Sequence, residues 1–412
     1  MNLSPLAREL YDEIAAFTII DAHEHLPPEP RYLSFGYSGL NMFAGYLWHD
    51  LRSAGLPDEF VSTMREGGDR PVETWWPQIR PHWERVRNTS YARALRITAR
   101  DVFGIADIAD DTIGLFAEQV KADNTPGIYQ RSLQERCRIE RSICAIDNPA
   151  DGPIFPDDPG LKGITRFCPW GGPDLPGRLR ELSGRDIRTL DDAAQAAQEI
   201  LRRDAAAGVI GFKMTVADFG PPDARAAETE LDQALRGTHA SGPLPALRDY
   251  LFDKCCDVAA ESGLPVAVHT GYWGDFRALD PKFMLGFAAR RRDVRFDMFH
   301  LGAPMFRDAI LIGKNLPNVT LNLTWCPIIS QVQTKRALDE ILDLVPLNKV
   351  IAFGGDYRVC VQKVYGHLVL AREVVAAALA ERVEAGGFDR HDALRIARSW
   401  FYDNPARVYG LG

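Results

Sequence analysis

The sequence has few of the features that mark secreted, membrane-bound or disulfide-stabilised proteins. Seven cysteines are scattered over 412 residues, and an odd number of dispersed thiols indicates reduced side chains in a cytoplasmic protein. No apolar run approaches the roughly 20 residues needed to span a membrane. The first residues include acidic side chains and lack the apolar core of a signal peptide. These absences predict a cytoplasmic location and no membrane partner.

Positive charge is also scarce. The 56 acidic side chains outnumber the 48 basic ones, for a formal net charge of −8, which argues against a nucleic-acid partner. Hydrophobic residues make up 46% and charged residues 25% of the chain, as is typical of a globular protein with an ample core. The length suits a barrel of about 250 residues with insertions. We therefore expect a single domain over residues 1–412 that acts on a small molecule.

Eight short apolar runs alternate with helical segments along the chain. The first ends near residue 24, and the others are Ile139–Ile146, Gly163–Phe167, Val209–Met214, Val266–His269, Val294–Phe299, Val319–Leu323 and Val350–Gly354. Apolar strands separated by helices are typical of a parallel sheet covered on both faces. Eight such units predict an α/β fold, the (β/α)8 TIM barrel, with functional residues at the C-terminal strand ends. Residues from about 29 to 135, helical in pattern and rich in tryptophan, are predicted to form a helical insertion after the first strand.

Two histidines leave the first strand together. Because side chains at positions i and i+2 of a strand share a face, His23 and His25 should project toward one point. Two neutral imidazoles that converge in this way suit a divalent transition metal. The pair alone is a weak signal, since most neighbouring histidines bind nothing.

Four further polar residues end other predicted strands. Lys213 ends the fourth, His269 the fifth, His300 the sixth and Asp356 the eighth. Each follows an apolar run and is of a type that binds metals or transfers protons. One such residue is ordinarily structural, but their joint occurrence at strand ends indicates a metal centre at the barrel mouth.

This arrangement resembles the amidohydrolase superfamily, whose members have His-x-His, Lys, His, His and Asp on strands one, four, five, six and eight. The resemblance implies two divalent ions, most often zinc, with manganese, iron or nickel as alternatives. It implies that the ligands divide between the ions as His23, His25 and Asp356 on one and His269 and His300 on the other, bridged by a carbamate of Lys213. Burial beside cations favours the uncharged lysine that carbamylation needs.

The resemblance also implies a reaction, which is hydrolysis of a C–N or C–O bond (amide, ester or lactone) in a small, carboxylated substrate. A metal-activated hydroxide would attack the carbonyl, and Asp356 would pass a proton to the leaving group. The segments around Lys213, His269 and His300 are similar to the hydrolase-like relatives of nodulin and the fungal developmental amidohydrolases.

Other motifs leave an alternative open, because they are similar to uronate isomerases. They are His25-Leu26-Pro27-Pro28, Val102-Phe103-Gly104-Ile105, Asp356-Tyr357-Arg358 and the closing Asn404-Pro405-Ala406-Arg407. They favour an aldose–ketose isomerase, or a non-oxidative decarboxylase, that uses the same site with one metal. A catalytically silent binding protein is a third reading, and the number of bound ions would separate the three.

Several residues are candidates for substrate contact. Arg358 lies two residues beyond Asp356, and its guanidinium could clamp a substrate carboxylate. Tyr272 and Trp273 follow His269 closely and could form a wall of the pocket. His49 lies in the insertion, which could fold over the barrel mouth. The tryptophan-rich insertion is also a candidate surface for a homo-oligomer.

Overall fold

A sheet of eight parallel strands, in the order β1 to β8, is the centre of the molecule. The computed structural model describes residues 1–146, 160–167, 174–238, 242–272 and 274–411. The strands are β1 (Ile19–Glu24), β2 (Ile139–Ala145), β3 (Leu161–Arg166), β4 (Phe212–Thr215), β5 (Val266–His269), β6 (Phe296–Phe299), β7 (Val319–Asn322) and β8 (Val350–Ile351).

The two edges of the sheet meet. The backbone N–H of Ala22 donates to the carbonyl of Phe353 over 3.1 Å, and the N–H of Asp356 donates to the carbonyl of His23 over 2.8 Å. These bonds join β1 to the segment that follows β8 and bring the sheet into a nearly closed barrel. The predicted (β/α)8 TIM-barrel fold is confirmed.

Alternate strand residues fill the barrel interior. Ile20 and Ala22 of β1 belong to a small cluster of buried apolar side chains, together with Ile143 of β2 and Ala267 of β5. Tyr409 from the last helix packs into the same cluster, and its hydroxyl donates to Asp297 Oδ2 over 2.7 Å. The barrel is therefore a packed core rather than a channel.

Helices enclose the barrel and form the insertion. Helix α1 is Pro5–Ala15, and the insertion between β1 and β2 contains α2 (Glu29–Ser34), α3 (Leu47–Ser53), α4 (Asp58–Arg65), α5 (Val72–Val86), α6 (Ser90–Phe103) and α7 (Ile113–Asp123). The later helices are α8 (Leu175–Ser183), α9 (Leu190–Ala206), α10 (Ala224–Leu235), α11 (Pro245–Ser262), α12 (Met284–Arg290), α13 (Phe306–Asn315), α14 (Cys326–Ile329), α15 (Gln331–Leu344), α16 (Lys363–Glu384), α17 (Arg390–Arg398) and α18 (Asn404–Tyr409). Within the described ranges, no helix is both long and apolar enough to cross a membrane.

The insertion has an aromatic core of its own. The ring of Phe43 contacts Trp75, Trp76 and Trp83, with ring centroids 5.6–6.0 Å apart. The side chains of Trp75 and Trp83 are fully buried. Aromatic pairs of this kind stabilise a cluster by about 0.5–1.5 kcal/mol beyond simple burial. The tryptophans that mark this region in the sequence therefore hold the helices together.

Candidate active site

Three of the predicted ligands converge at the ends of β1 and β8. The Nε2 atoms of His23 and His25 lie 3.4 Å and 3.2 Å from Asp356 Oδ1. Within the described residues, these three side chains bring their donor atoms within 4.8 Å of one another. His23 and Asp356 are buried, and His25 is partly exposed.

The donor set fits a divalent metal. Zinc binds histidine nitrogen and carboxylate oxygen at about 2.0–2.2 Å, so neighbouring ligands of a tetrahedral site lie roughly 3.4 Å apart. The two distances to Asp356 match that spacing. Two neutral imidazoles and one carboxylate leave a tetrahedral ion with an open position, as catalytic sites require.

Lys213 and Phe299 lie next to this cluster. The Nζ atom of Lys213 is 3.2 Å from His23 Nε2 and 4.1 Å from the centroid of the Phe299 ring. Lys213 is the second residue of β4, after the buried Phe212, and the contact of its Nζ with His23 places it in the polar centre of the barrel mouth.

His269 and His300 form a separate pair at the ends of β5 and β6. His300 Nε2 lies 3.0 Å from His269 Nδ1, and His300 Nδ1 lies 3.0 Å from the backbone carbonyl of Thr324. His300 Nε2 is 3.8 Å from Asp356 Oδ2, so the pair approaches the first cluster through the other carboxylate oxygen.

Burial sets the protonation of these groups. It lowers the pKa of His23 and His269 well below the ordinary value and lowers the pKa of His300 to about 4, because a buried imidazolium loses its hydration. Burial alone would raise the pKa of Asp356, but His23, His25 and His300 hold it well below its usual range. At neutral pH His23, His269 and His300 are therefore neutral imidazoles, and Asp356 is an ionised carboxylate.

A second pair of carboxyl groups, on β1, holds the strand ends in place. Asp21 Oδ1 accepts hydrogen bonds from the N–H groups of His23 and Gly355, at 3.1 Å and 3.0 Å, and Glu24 Oε2 accepts from the N–H of Tyr357 at 2.6 Å. Burial raises the pKa of both carboxyls, that of Asp21 to about 6. A side chain at Gly355 would overlap the Glu24 carboxyl, so the close approach of the two strand ends needs glycine there.

Backbone strain is concentrated at the same strand ends. Asp356, His300 and Trp325 have positive φ angles of 59°, 64° and 69°. Such conformations cost a non-glycine residue about 1–3 kcal/mol each and are common at functional sites.

A cavity of about 840 Å³ opens above the two groups. His25, His269 and Asp356 line its floor, and Arg358 lines it with Nη2 3.4 Å from His25 Nδ1. Trp325, on the loop after β7, is part of the same wall.

The other predicted substrate contacts, His49, Tyr272 and Trp273, are not among the described residues that line the cavity. The His49 ring stacks on Trp48 with centroids 3.9 Å apart, and it is Trp48 that lines the cavity. Tyr272 contacts Trp325, with ring centroids 5.4 Å apart, and does not line the cavity among the described residues. Trp273 lies outside the described residues.

Sequence reasoning missed several residues of the insertion that reach the cavity. Tyr46 lines it and donates a hydrogen bond from its hydroxyl to the backbone carbonyl of Asp356. Arg31 and Arg65 also line it. No sequence signal marks these residues, because their positions depend on how the insertion packs over the barrel.

The chain has recognisable relatives. A model of the amidohydrolase family matches residues 187–411, more than half of the chain. The chain is 23% identical to a uronate isomerase of Cutibacterium acnes and 24% identical to one of Rhizorhabdus wittichii, each over 98% of this chain and 95% of the relative. The crystal structure of a Thermotoga maritima uronate isomerase has a TM-score of 0.80 at 16% identity, covering 99% of this chain and 98% of that one. A Caulobacter crescentus glucuronate isomerase has a TM-score of 0.78 at 16% identity over 98% and 94% of the chains.

The prediction of a hydrolase is wrong, since these relatives match the chain almost end to end and are isomerases. The strand-end residues do not distinguish hydrolysis from isomerisation. A metal that polarises a carbonyl can promote attack by water in one reaction and proton transfer between carbons in the other. What they do indicate is an enzyme whose superfamily is typically metal-dependent. From the family match, the chain belongs to the amidohydrolase family.

Proposed function

We propose that the protein is an aldose–ketose isomerase that acts on a hexuronate. The observation that carries this proposal is Arg358, whose guanidinium lies in the cavity 3.4 Å from His25 Nδ1, beside the candidate metal ligands. A sugar acid needs both a cation for its carboxylate and a metal near its carbonyl. The similarity of nearly the whole chain to uronate isomerases supports the same substrate class.

Arg358 is proposed to bind the substrate carboxylate. A planar guanidinium can form two parallel hydrogen bonds with a carboxylate, which orients the sugar as well as holding it. Bound in this way, the sugar chain extends from Arg358 across the cavity floor, where His25, His269 and Asp356 are found.

His269 is proposed to move the proton between carbons 2 and 1. The Thr324 carbonyl can only accept, so Nδ1 of His300 is the donor and Nε2 of neutral His300 is the acceptor. His269 Nδ1 must then donate to it, which leaves a lone pair on His269 Nε2. That buried atom has no hydrogen-bond partner within the described residues, and His269 lines the cavity, which supports its proposed role as the base.

The reaction rearranges the substrate without changing its composition. His269 Nε2 takes the proton from carbon 2 and returns it to carbon 1, while the proton of the carbon-2 hydroxyl moves to the oxygen of carbon 1. A divalent ion held by His23, His25 and Asp356 would supply Lewis-acid polarisation of the sugar oxygens. General-base catalysis of this kind contributes about 10²–10⁴-fold to a rate.

Lys213 and Asp356, the catalytic residues predicted from the sequence, have roles in this scheme. Asp356 holds the metal, and the Lys213 amine, 3.2 Å from His23 Nε2, can bind a substrate oxygen. The second ion and the Lys213 carbamate stay predictions that the isomerase does not need. A protein grown with ¹³C-bicarbonate would give a carbamate carbon signal, absent in Lys213→Ala, only if the two-ion arrangement is present.

The proposal is tested with D-glucuronate and D-galacturonate in deuterated water. The protein loaded with zinc or manganese should convert them into ketohexuronates, with a ketone at carbon 2 and the carboxylate still at carbon 6. NMR would show this as loss of the anomeric proton signals and, where the proton exchanges with solvent, as deuterium on carbon 1. Release of carbon dioxide from carbon 6 would instead favour the decarboxylase. No change in either sugar acid, with metal bound, would contradict the proposal.

A further inference from the structure

The segment that carries Asp356 is held by backbone hydrogen bonds from two directions. The N–H of Asp356 donates to the carbonyl of His23 over 2.8 Å, and the N–H of His25 donates to the carbonyl of Tyr357 over 3.0 Å. The N–H of Tyr357 donates to the Glu24 carboxyl over 2.6 Å. These three bonds come from β1 and the residue that follows it, so the barrel itself fixes one side of the segment.

The fourth backbone group of this segment contacts the insertion instead. The carbonyl of Asp356 accepts a hydrogen bond from the hydroxyl of Tyr46, the residue before α3. Asp356 has a φ of 59°, a conformation that a non-glycine residue keeps only where the surrounding contacts fix it. The bond from Tyr46 is therefore one of the contacts that fix the backbone from which the Asp356 carboxylate reaches His23 and His25.

The ring of Tyr46 is itself held between the insertion and the barrel. Its centroid lies 4.4 Å from Trp325, 5.7 Å from Tyr357 and 5.9 Å from Tyr91. Aromatic rings at these distances attract one another beyond simple burial. Tyr91 is in α6 of the insertion and Trp325 follows β7 of the barrel, so both parts of the fold aim the Tyr46 hydroxyl.

A buried lysine holds the residues that precede Tyr46. Lys363, the first residue of α16, is 5% exposed, and its Nζ donates to the carbonyl of Ala44 over 2.8 Å. The same Nζ lies 5.4 Å from the centroid of the Tyr357 ring, within the range of a cation–π contact. A Cβ at Gly45 would come within 2.9 Å of this Nζ, so glycine permits the close approach. One amine thus joins the insertion to the segment that carries the candidate metal ligand.

We propose that Tyr46 is a positioning residue for the candidate metal ligand Asp356, and that Lys363 holds the stretch of chain from which Tyr46 reaches it. Docking of the insertion on the barrel then raises the affinity of the site for a divalent ion, because the carboxylate is already in place when the ion arrives. Such coupling is reciprocal, so a bound ion must also stabilise the docked insertion. The inference concerns metal binding and does not depend on the proposed isomerisation.

The first measurement is the affinity of the full-length, metal-free protein for Zn²⁺, from competition with a chromogenic chelator. Tyr46→Phe removes one hydroxyl and keeps the ring, and it should weaken zinc binding about 10- to 100-fold, as the loss of a group that orients a ligand does. Lys363→Met should weaken zinc binding in the same direction. With Co²⁺ in place of zinc, the visible absorption should change in both variants, because it reports how the ligands are arranged around the ion.

Two matched variants separate positioning from a general loss of stability. Tyr402→Phe also removes a tyrosine hydroxyl, one that donates to Glu140 Oε2 over 3.0 Å. Lys349→Met also removes a buried lysine, one whose Nζ donates to the carbonyl of Leu316 over 2.6 Å. Neither residue lines the cavity in the part of the chain that the structure describes. Both variants should bind zinc as tightly as the unaltered protein, and melting curves report whether each variant folds.

Hydrogen exchange measures the coupling in the reverse direction. In the unaltered protein, zinc should slow the exchange of backbone amides in residues 39–53 of the insertion. In Tyr46→Phe, the effect of zinc on this stretch should shrink, whereas in Tyr402→Phe it should be retained.

Three results would overturn the inference. They are an unchanged zinc affinity and Co²⁺ spectrum in folded Tyr46→Phe, a loss of affinity in Tyr402→Phe as large as that in Tyr46→Phe, and exchange in residues 39–53 that does not respond to zinc. Normal zinc affinity in folded Lys363→Met would refute the part assigned to Lys363. Weakened zinc binding in Tyr46→Phe, in a protein that converts neither sugar acid, would support this inference and refute the isomerase proposal.

Discussion

The two groups of histidines at the barrel mouth differ in what else they contact. His23 and His25 share a carboxylate oxygen of Asp356 at 3.2–3.4 Å, whereas His269 and His300 contact each other and a backbone carbonyl. A carboxylate offsets the charge of a bound cation, and a carbonyl at the far nitrogen instead fixes which tautomer an imidazole adopts. The contacts of the first pair therefore suit metal binding, and those of the second pair suit an imidazole with one fixed tautomer.

The two groups of histidines allow two different metal contents. If the first group alone holds an ion, the protein binds about one divalent metal per chain. If His269 and His300 hold another, with Lys213 as a bridging carbamate, it binds two.

Replacing His23 with alanine should have the largest effect. The variant should lose its bound metal, and the proposed isomerase activity should fall to background, because the remaining His25 and Asp356 provide too few ligands. Elemental analysis and the NMR assay measure the two losses, and circular dichroism checks that the barrel is intact. His82→Ala, in α5, is the control, because His82 neither lines the cavity nor belongs to a candidate metal group among the described residues. Full activity with normal metal content in His23→Ala would refute the first group as a metal site.

Replacing His269 with glutamine should separate the two groups. As the base, its loss should lower kcat by about 10²–10⁴-fold with the metal content still near one per chain. As a ligand of a second ion, its loss should lower the metal content from two to one. Elemental analysis and kinetics of the same preparation are enough to decide, and an unchanged kcat with unchanged metal would contradict both roles.

Arg358→Met should act on substrate binding more than on chemistry. Loss of a charge-assisted hydrogen bond costs about 1.5–3 kcal/mol, which corresponds to a KM for the uronate raised about 10- to 150-fold. The neutral hexuronamide lacks the carboxylate and is the comparison substrate. If KM rises equally for both, Arg358 has a structural role instead.

The smallest effect concerns His367, a histidine outside both groups. Its ring is buried in α16 at 5.1 Å from Phe353, and burial lowers its pKa to about 3. An unfolded histidine titrates near 6.5, so below that pH the unfolded chain takes up a proton that the folded chain does not, and the free energy of unfolding falls as the pH falls. Its contribution to this loss between pH 7.5 and pH 5 is about 2 kcal/mol.

His367→Leu should therefore make stability less dependent on pH in that window. Denaturant unfolding at the two pH values measures the difference, and His391→Leu supplies a surface histidine for comparison. If the free energy of unfolding of His367→Leu changes with pH as much as that of the unaltered protein, His367 is not held neutral by burial.

The sequence was most informative where spacing along a strand determines geometry. His23 and His25 share a face because strands alternate, and the predicted strand Val266–His269 has the same bounds in the structure. The strand β8 covers only Val350–Ile351 of the predicted Val350–Gly354. The backbone N–H of Ala352 donates to the carbonyl of Trp400 and not to a neighbouring strand.

Contacts that depend on long-range packing could not be read from the chain. The sequence suggests His49 as a substrate contact, but it is the neighbouring Trp48 that lines the cavity among the described residues. Tyr46 reaches the Asp356 carbonyl across 310 positions of sequence. No local pattern encodes such a distance.

The insertion between β1 and β2 has a consequence for how this enzyme can diverge. The six strand-end residues all come from the barrel, whereas Arg31, Arg65, Trp48 and Tyr46 come from one continuous stretch of chain. Recombination or mutation in that stretch can change which acids are admitted without disturbing the residues proposed for proton transfer. We therefore expect substitutions that change substrate specificity to accumulate in the insertion before they reach the strand-end residues.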